Sequence, residues 1–208
     1  MARRKSEYES VSTYLKQMGE IPRFTPKEEL KAAKKVEQTR LEFQSKAYRS
    51  PDIVRRLLCV LHGLENGQGG FDDVIESSES DKCKPGHSLD LVKTKAVIRA
   101  RLPHNLRTLD NLLDRYEQTA VVEEQDRLHA KMMRLFNELS LKTKTLDDII
   151  AQIRDVSDPE NTIDSKQRAF FFKLERLRKR YEEALQNFAA PNQRLVVSVA
   201  KKKRERGV

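Results

Sequence analysis
Val11, Tyr14, Leu15 and Met18 recur at i, i+3, i+4 and i+7, a spacing that predicts a short amphipathic helix with one apolar face. Gly19 tolerates the left-handed backbone that closes such a helix, and Ile21-Pro22 forces an extended step. Thr25-Pro26-Lys27-Glu28 then sets a capping hydroxyl, a Pro at the first helical position and a Glu three residues after the cap. The second helix that follows has Leu30, Ala33, Val36 and Phe43 as its buried stripe, with Lys27, Lys31, Lys34 and Lys35 mostly outward. Ser50-Pro51 opens a third helix, whose apolar face is Ile53, Val54, Leu57, Leu58 and Leu61 as far as about His62. Gly63 to His87, with Gly67, Gly69, Gly70, the polar run Glu76 to Lys82 and Pro85-Gly86, predicts a mobile loop holding at most one short helical turn.

Beyond it the periodicity becomes regular. Leu102, Leu106, Leu109, Leu113, Tyr116 and Ala120 make a heptad-like seam, which slips in phase and resumes at Leu128, Met132, Leu135 and Leu139. Either one long helix changes its partner, or two helices meet near Val121 to Gln125. Thr145 and Asp148 form a candidate cap for a short helix with Ile149, Ile150 and Ile153 inward, and Asp158-Pro159 ends it. A last long helix shows Phe170, Leu174, Leu177, Tyr181, Leu185 and Phe188, and Pro191 interrupts it before a final helix from about Asn192 to Arg206. There is no internal repeat. The fold class this predicts is all-α, an elongated helical bundle with a short N-terminal helix pair and one long loop.

Composition agrees. Charged residues are 35% of the 208, above the roughly 25% of ordinary globular chains, and Gly and Pro number only seven each. No apolar run approaches the roughly 18 residues of a membrane span, and Met1-Ala2-Arg3-Arg4-Lys5 is not followed by a hydrophobic signal core. Two Cys are too few for a disulfide framework. A soluble, cytoplasmic protein is the expectation. The net charge of +9 is unevenly spread: residues 1–165 hold 28 Lys and Arg against 28 Asp and Glu, whereas 166–208 hold 13 against 4. A basic segment beside a neutral body suits phosphate or an acidic protein surface, and equally suits a solubilising helix face.

Signatures of catalysis are missing: there is no Gly-rich phosphate loop, no Gly-x-Ser-x-Gly elbow and no His-Glu-x-x-His. Cys59, His62, Cys83 and His87 have the composition of a zinc tetrahedron. However, Cys59 and His62 fall inside an apolar helical run and Cys83 and His87 in the loop, so neither metal nor cofactor is expected. Asp72-Asp73 and Asp147-Asp148 read as loop solvation and helix N-terminal charges rather than general acids or bases. The run Lys201-Lys202-Lys203-Arg204-Glu205-Arg206 is more pointed, since one helix can dock by Leu195, Val196, Val199 and Ala200 while presenting cations to phosphate.

Two stretches carry a resemblance. Val11 to Glu37, VSTYLKQMGEIPRFTPKEELKAAKKVE, closely resembles region 1.2 of sigma factors of the sigma-70 family, the initiation subunits of bacterial RNA polymerase. Asn192 to Val208, NQRLVVSVAKKKRERGV, resembles the start of region 2.1 of the same family. The resemblance implies three parts: a region 1.2-like helical pair over 1–46, a variable helical insertion over 47–190, and the start of a region 2.1-like basic helix over 191–208. It also implies a non-enzymatic function in transcription initiation, with core RNA polymerase and promoter DNA as partners and no membrane or small-molecule substrate. Ser12, Thr13, Tyr14, Leu15 and Lys16 would face the unpaired non-template strand of the discriminator, and Arg194, Lys201, Lys202, Lys203, Arg204 and Arg206 would line a polymerase or DNA interface. An aromatic ring on an unpaired base and a Lys near phosphate is sound chemistry. Spacing alone places Tyr14 in a core stripe instead.

The sequence departs from the family pattern where Ser12 replaces a frequent Arg, Lys203 a Tyr, and Pro191 falls in a usually continuous helix. It stops at Val208, before the family's elements for minus-ten melting and minus-thirty-five reading, so it is not expected to direct initiation alone. The competing expectation is a truncated sigma-like interaction module or decoy, docking partners through the seams Leu102 to Ala120 and Phe170 to Phe188.

Overall fold
The computed structural model describes residues 24–76, 95–157 and 165–205, with side chains as far as 154 and 191 in the last two stretches. Among them are seven helices and no strand, an all-α fold: α1 (Pro26–Ala47), α2 (Pro51–Glu65), α3 (Phe71–Val74), α4 (Lys95–Gln118), α5 (Val122–Leu139), α6 (Thr143–Ser157) and α7 (Ser165–Glu205). The predicted first helix, with Gly19 and Ile21-Pro22, and the Asp158-Pro159 break lie outside the described residues. The chain divides into two compact units, Met1–Gln44 with Ala169–Val208, and Ser45–Arg168.

In the second unit the apolar stripes meet. α2 buries Ile53, Val54, Leu57, Leu58 and Leu61, all five of the residues its periodicity marks. α4 buries Leu102, Leu106, Leu109, Leu113 and Tyr116, and α5 buries Leu128, Met132, Phe136 and Leu139. α4 packs on α2 and α5, and α6 packs on α2 and α3. Tyr48 and Phe136 stack at 4.4 Å between centroids. Because the seam of α4 is consumed inside this unit, it is not a free docking surface for a partner. The phase slip marks two helices: Gln118 ends α4, and the Gln125 amide donates to the Thr119 carbonyl at 2.9 Å across the turn. Ala120, assigned to the seam, is exposed outside both helices, while Leu135 is half-buried and Phe136 takes the core place beside it.

Several boundaries differ from the sequence reading, each for a physical reason. α2 runs through Gly63 to Glu65. It ends in a Schellman turn, the Gln68 N–H donating to the Gly63 carbonyl and the Gly67 N–H to the Leu64 carbonyl, with Gly67 at φ +76°. Gly67, not Gly63, therefore terminates it, and the described part of the loop holds the short turn α3. α4 already runs from Lys95 and carries Pro103 inside it. A Pro in mid-helix costs about 3 kcal/mol, and burial of Ile98 and Leu102 before it and Leu106 after it offsets that cost. Likewise α7 continues through Pro191 to Glu205, where the periodicity predicts a break. Helix formers on both sides, Leu185, Gln186, Ala189 and Ala190 before it and Gln193, Arg194 and Leu195 after it, make a local accommodation less costly than ending two helices. α6 begins at Thr143, so Thr145 is not its cap; the Thr145 hydroxyl instead donates to the Asp73 carbonyl at 3.5 Å. Ile149 and Ile153 face in, and Ile150 is half-buried.

One non-local clasp closes the unit. Ile75 and Leu141 form an isolated antiparallel bridge, the Glu76 N–H donating to the Ser140 carbonyl at 2.8 Å and the Lys142 N–H to the Val74 carbonyl at 2.9 Å. Ser140 enters it in the left-handed region at φ 51°.

Candidate nucleic-acid interface
The first unit holds the residues of interest. Thr25 and Glu28 form the predicted capping box: the Thr25 N–H donates to Glu28 Oε2 at 2.8 Å and the Glu28 N–H to Thr25 Oγ1 at 3.3 Å. The backbone N–H of Thr25, followed by its hydroxyl, holds the Glu28 carboxyl below the usual carboxylate range. Pro26 at the first helical position leaves no amide there to satisfy. From this start the 100° step per residue decides which side chains are inward. Thr39 and Phe43 are buried and Val36 half-buried, and the Thr39 hydroxyl is satisfied by the Lys35 and Val36 carbonyls. α7 meets this face. Arg178 lies 5.9 Å from the Phe43 ring centroid, Arg180 pairs with Glu42 at 3.3 Å, and Ala184 is buried. Ala184 takes the inward place that spacing assigned to Leu185, which is exposed.

The opposite side of α1 is basic. Lys27, Lys31, Lys34 and Lys35 fall within one helix face and are exposed. None has an ion-pair partner among the described residues. Leu30, placed in the buried stripe by its spacing, belongs to this face and is 58% exposed. Phe24, Leu30, Glu28 and the lysines Lys27, Lys31, Lys34 and Lys35 line an open concavity of about 870 Å³. Four mobile ammonium groups around two apolar side chains can hold phosphates and a base or ribose face. They contain no nucleophile with a neighbouring base. The i, i+4, i+7, i+8 run of Lys was visible in the sequence as an outward face, but only the structure removes Leu30 from the core and joins it to the lysines.

Ser12, Thr13, Tyr14, Leu15 and Lys16 lie outside the described residues, as does Arg206. Arg194, Lys201, Lys202, Lys203 and Arg204 stand on α7, one uninterrupted helix with Pro191 rather than a separate final one. The zinc tetrad is not assembled from what is described: Cys59 is exposed, and His62 Nε2 faces Asp110 at 3.0 Å with Nδ1 3.4 Å from Glu65. Cys83 and His87 lie outside the described residues, among which no three His, Cys, Asp or Glu groups gather for a metal. Asp72 pairs with Lys95 at 2.6 Å in the first turn of α3, a structural use of that carboxylate.

Residues 9–42 match the family model described as Sigma-70 factor, region 1.2. This stretch is similar to region 1.2 of sigma-70 factors. The match supports a role related to sigma factors. The described part of the region 1.2 segment is the capping box and most of α1, so its lysine face lies within the matched residues. No curated protein and no solved structure gives a significant match to the chain. No helix among the described residues is long and apolar enough to cross a membrane.

Proposed function
We propose that the protein acts in transcription initiation as the N-terminal part of a sigma factor, non-enzymatic and cytoplasmic, with core RNA polymerase and promoter DNA as partners. The observation that carries this reading is the region 1.2 match over residues 9–42. In it, Ser12, Thr13, Tyr14, Leu15 and Lys16 contact the unpaired non-template strand of the discriminator. The lysine face of α1, which follows in the same segment, draws in the phosphates nearby. Arg194, Lys201, Lys202, Lys203, Arg204 and Arg206 form the polymerase and DNA interface at the other end of the chain. Residues 47–190 are the insertion between regions 1.2 and 2.1; the compact unit Ser45–Arg168 supports a separate body there, while Ala169–Ala190 cluster with the region 1.2 side.

The test is fluorescence anisotropy of a labelled single-stranded discriminator oligonucleotide with the 208-residue chain. Tyr14→Ala with Lys16→Ala is expected to weaken binding roughly ten-fold, from the loss of one stacked base. Changing Lys27, Lys31, Lys34 and Lys35 to Ala is expected to flatten the salt dependence by up to about 0.7 per lost phosphate contact. Binding unchanged by the first pair would remove the discriminator assignment, whatever the lysines do.

A further inference from the structure
α7 exposes an aromatic ring that neither the region 1.2 match nor the basic end of the helix uses. Phe172 is 66% exposed, although the adjacent Phe170 and Phe171 are half-buried and meet edge to face at 5.7 Å. Leu174 is buried, so this part of α7 has an inward side and Phe172 is not on it. A ring left in water forgoes the transfer free energy that burial provides.

Its surroundings are cationic. From Ala169 to Tyr181 the chain has five Lys and Arg against one Glu. Three of the five are engaged: Arg178 with Glu182 at 3.1 Å, Lys179 with Glu175 at 3.0 Å and Arg180 with Glu42 at 3.3 Å. Lys173 and Arg176 are exposed and have no ion-pair partner among the described residues. Lys173 is next to Phe172, and Arg176 stands one turn along on the same side, about 6 Å farther down the axis. Glu175, the single carboxylate of this stretch, is already spent on Lys179. With Glu175 paired to Lys179, the side that shows the ring keeps a net positive charge.

An open aromatic face beside an ammonium and a guanidinium matches what an unpaired nucleotide offers: a π-face to stack and a phosphate to pair. A base inside a duplex has both faces covered by its neighbours and cannot stack on the ring. We infer that Phe172, Lys173 and Arg176 form a single-stranded nucleic-acid-binding face on α7, separate from residues 12–16. Stacking there is indifferent to base identity, so the face holds a strand without reading its sequence.

The chain contains no Trp, so Phe172→Trp installs a unique fluorophore at the point of contact. Titration of that variant with a twelve-nucleotide oligothymidylate or oligouridylate in low salt is expected to quench the indole as it saturates; the relative strength of the two distinguishes DNA from RNA as the strand held. Phe172→Ala is expected to bind the better of these strands roughly ten-fold more weakly, with Phe172→Tyr close to the parent. Lys173→Ala with Arg176→Ala is expected to lower the salt slope by about 1.4. All these side chains are exposed, so circular dichroism should report unchanged folding. An unquenched indole under bound strand, or an unchanged Phe172→Ala affinity, overturns the inference. So does equal quenching by a duplex or by polyglutamate, the latter assigning the face to an acidic protein.

Discussion
The two compact units spend their side chains differently. In Ser45–Arg168 the apolar stripes of α2, α4, α5 and α6 bury one another, and the charges nearly cancel, with 20 Lys and Arg against 21 Asp and Glu and with Arg49 paired to Asp126, Arg55 to Glu117, Lys95 to Asp72 and Arg115 to Glu124. In the other unit, Thr39, Phe43, Gln44, Leu174 and Ala184 are buried, while Leu30, Phe172 and Leu185 stand in solvent beside lysines and an arginine with no ion-pair partner among the described residues. Both units expose some apolar side chains, but only the second is strongly charged, with 21 Lys and Arg against 11 Asp and Glu. Exposed surface pairs contribute little to stability, so the matched cations of the larger unit are better understood as charge neutrality than as glue. A surface that is neutral does not attract polyanions, and this concentrates attraction on the smaller unit.

Swapping one ring for another separates the two behaviours most sharply. Phe136→Ala removes a ring buried against Tyr48 and is expected to destabilise by about 3–5 kcal/mol in urea unfolding, whereas Phe172→Ala is expected to stay within about 0.5 kcal/mol. A comparable loss at Phe172 would mean that its exposed ring supports the fold, and the contrast would collapse. A smaller effect comes from His129, buried in the larger unit with Nε2 2.9 Å from the Ser45 carbonyl. Burial pushes its imidazole below the ordinary 6.5 and outweighs that hydrogen bond; Arg49 lowers it further, and Asp126 opposes. Since the unfolded chain then binds the proton more readily, stability is full above about pH 6.5 and falls as pH drops below it, towards the folded-state value. The urea midpoint should decline over that window, and His129→Gln should flatten the decline. The smallest change is at Ser140. With φ at 51° it pays for a conformation glycine adopts freely, so Ser140→Gly is expected to gain up to about 1 kcal/mol in thermal unfolding.

Which features were legible follows the same division. Ile53 to Leu61 and Leu102 to Tyr116 announce their burial because a stripe with a partner on every turn leaves a clean period. The Thr25 and Glu28 box was equally plain, being wholly local. Leu30, Leu185 and Phe172 escaped because period records which face a residue shares, not whether another element covers that face. Pro191 misled in the opposite sense: a residue that breaks an isolated helix is tolerated when helix formers hold both sides. The end of α2 turned on a choice among glycines that only the paired hydrogen bonds at Gly67 decide. The α1 lysines were read as outward, yet their meaning as a binding face depends on the absence of local carboxylate partners, which spacing does not reveal.

The clasp between Ile75 and Leu141 has a bearing on how quickly the larger unit comes apart. The α4 and α5 hairpin is joined by three residues and forms from near neighbours, but the clasp ties segments more than sixty positions apart. Ordering so long a loop is entropically dear, and contacts of that kind are made after the local ones. Its two hydrogen bonds thus belong to the downhill side of the folding barrier, where strengthening them slows escape from the native state and scarcely alters the rate of arrival. The bridge acts as a latch on the lifetime of this unit.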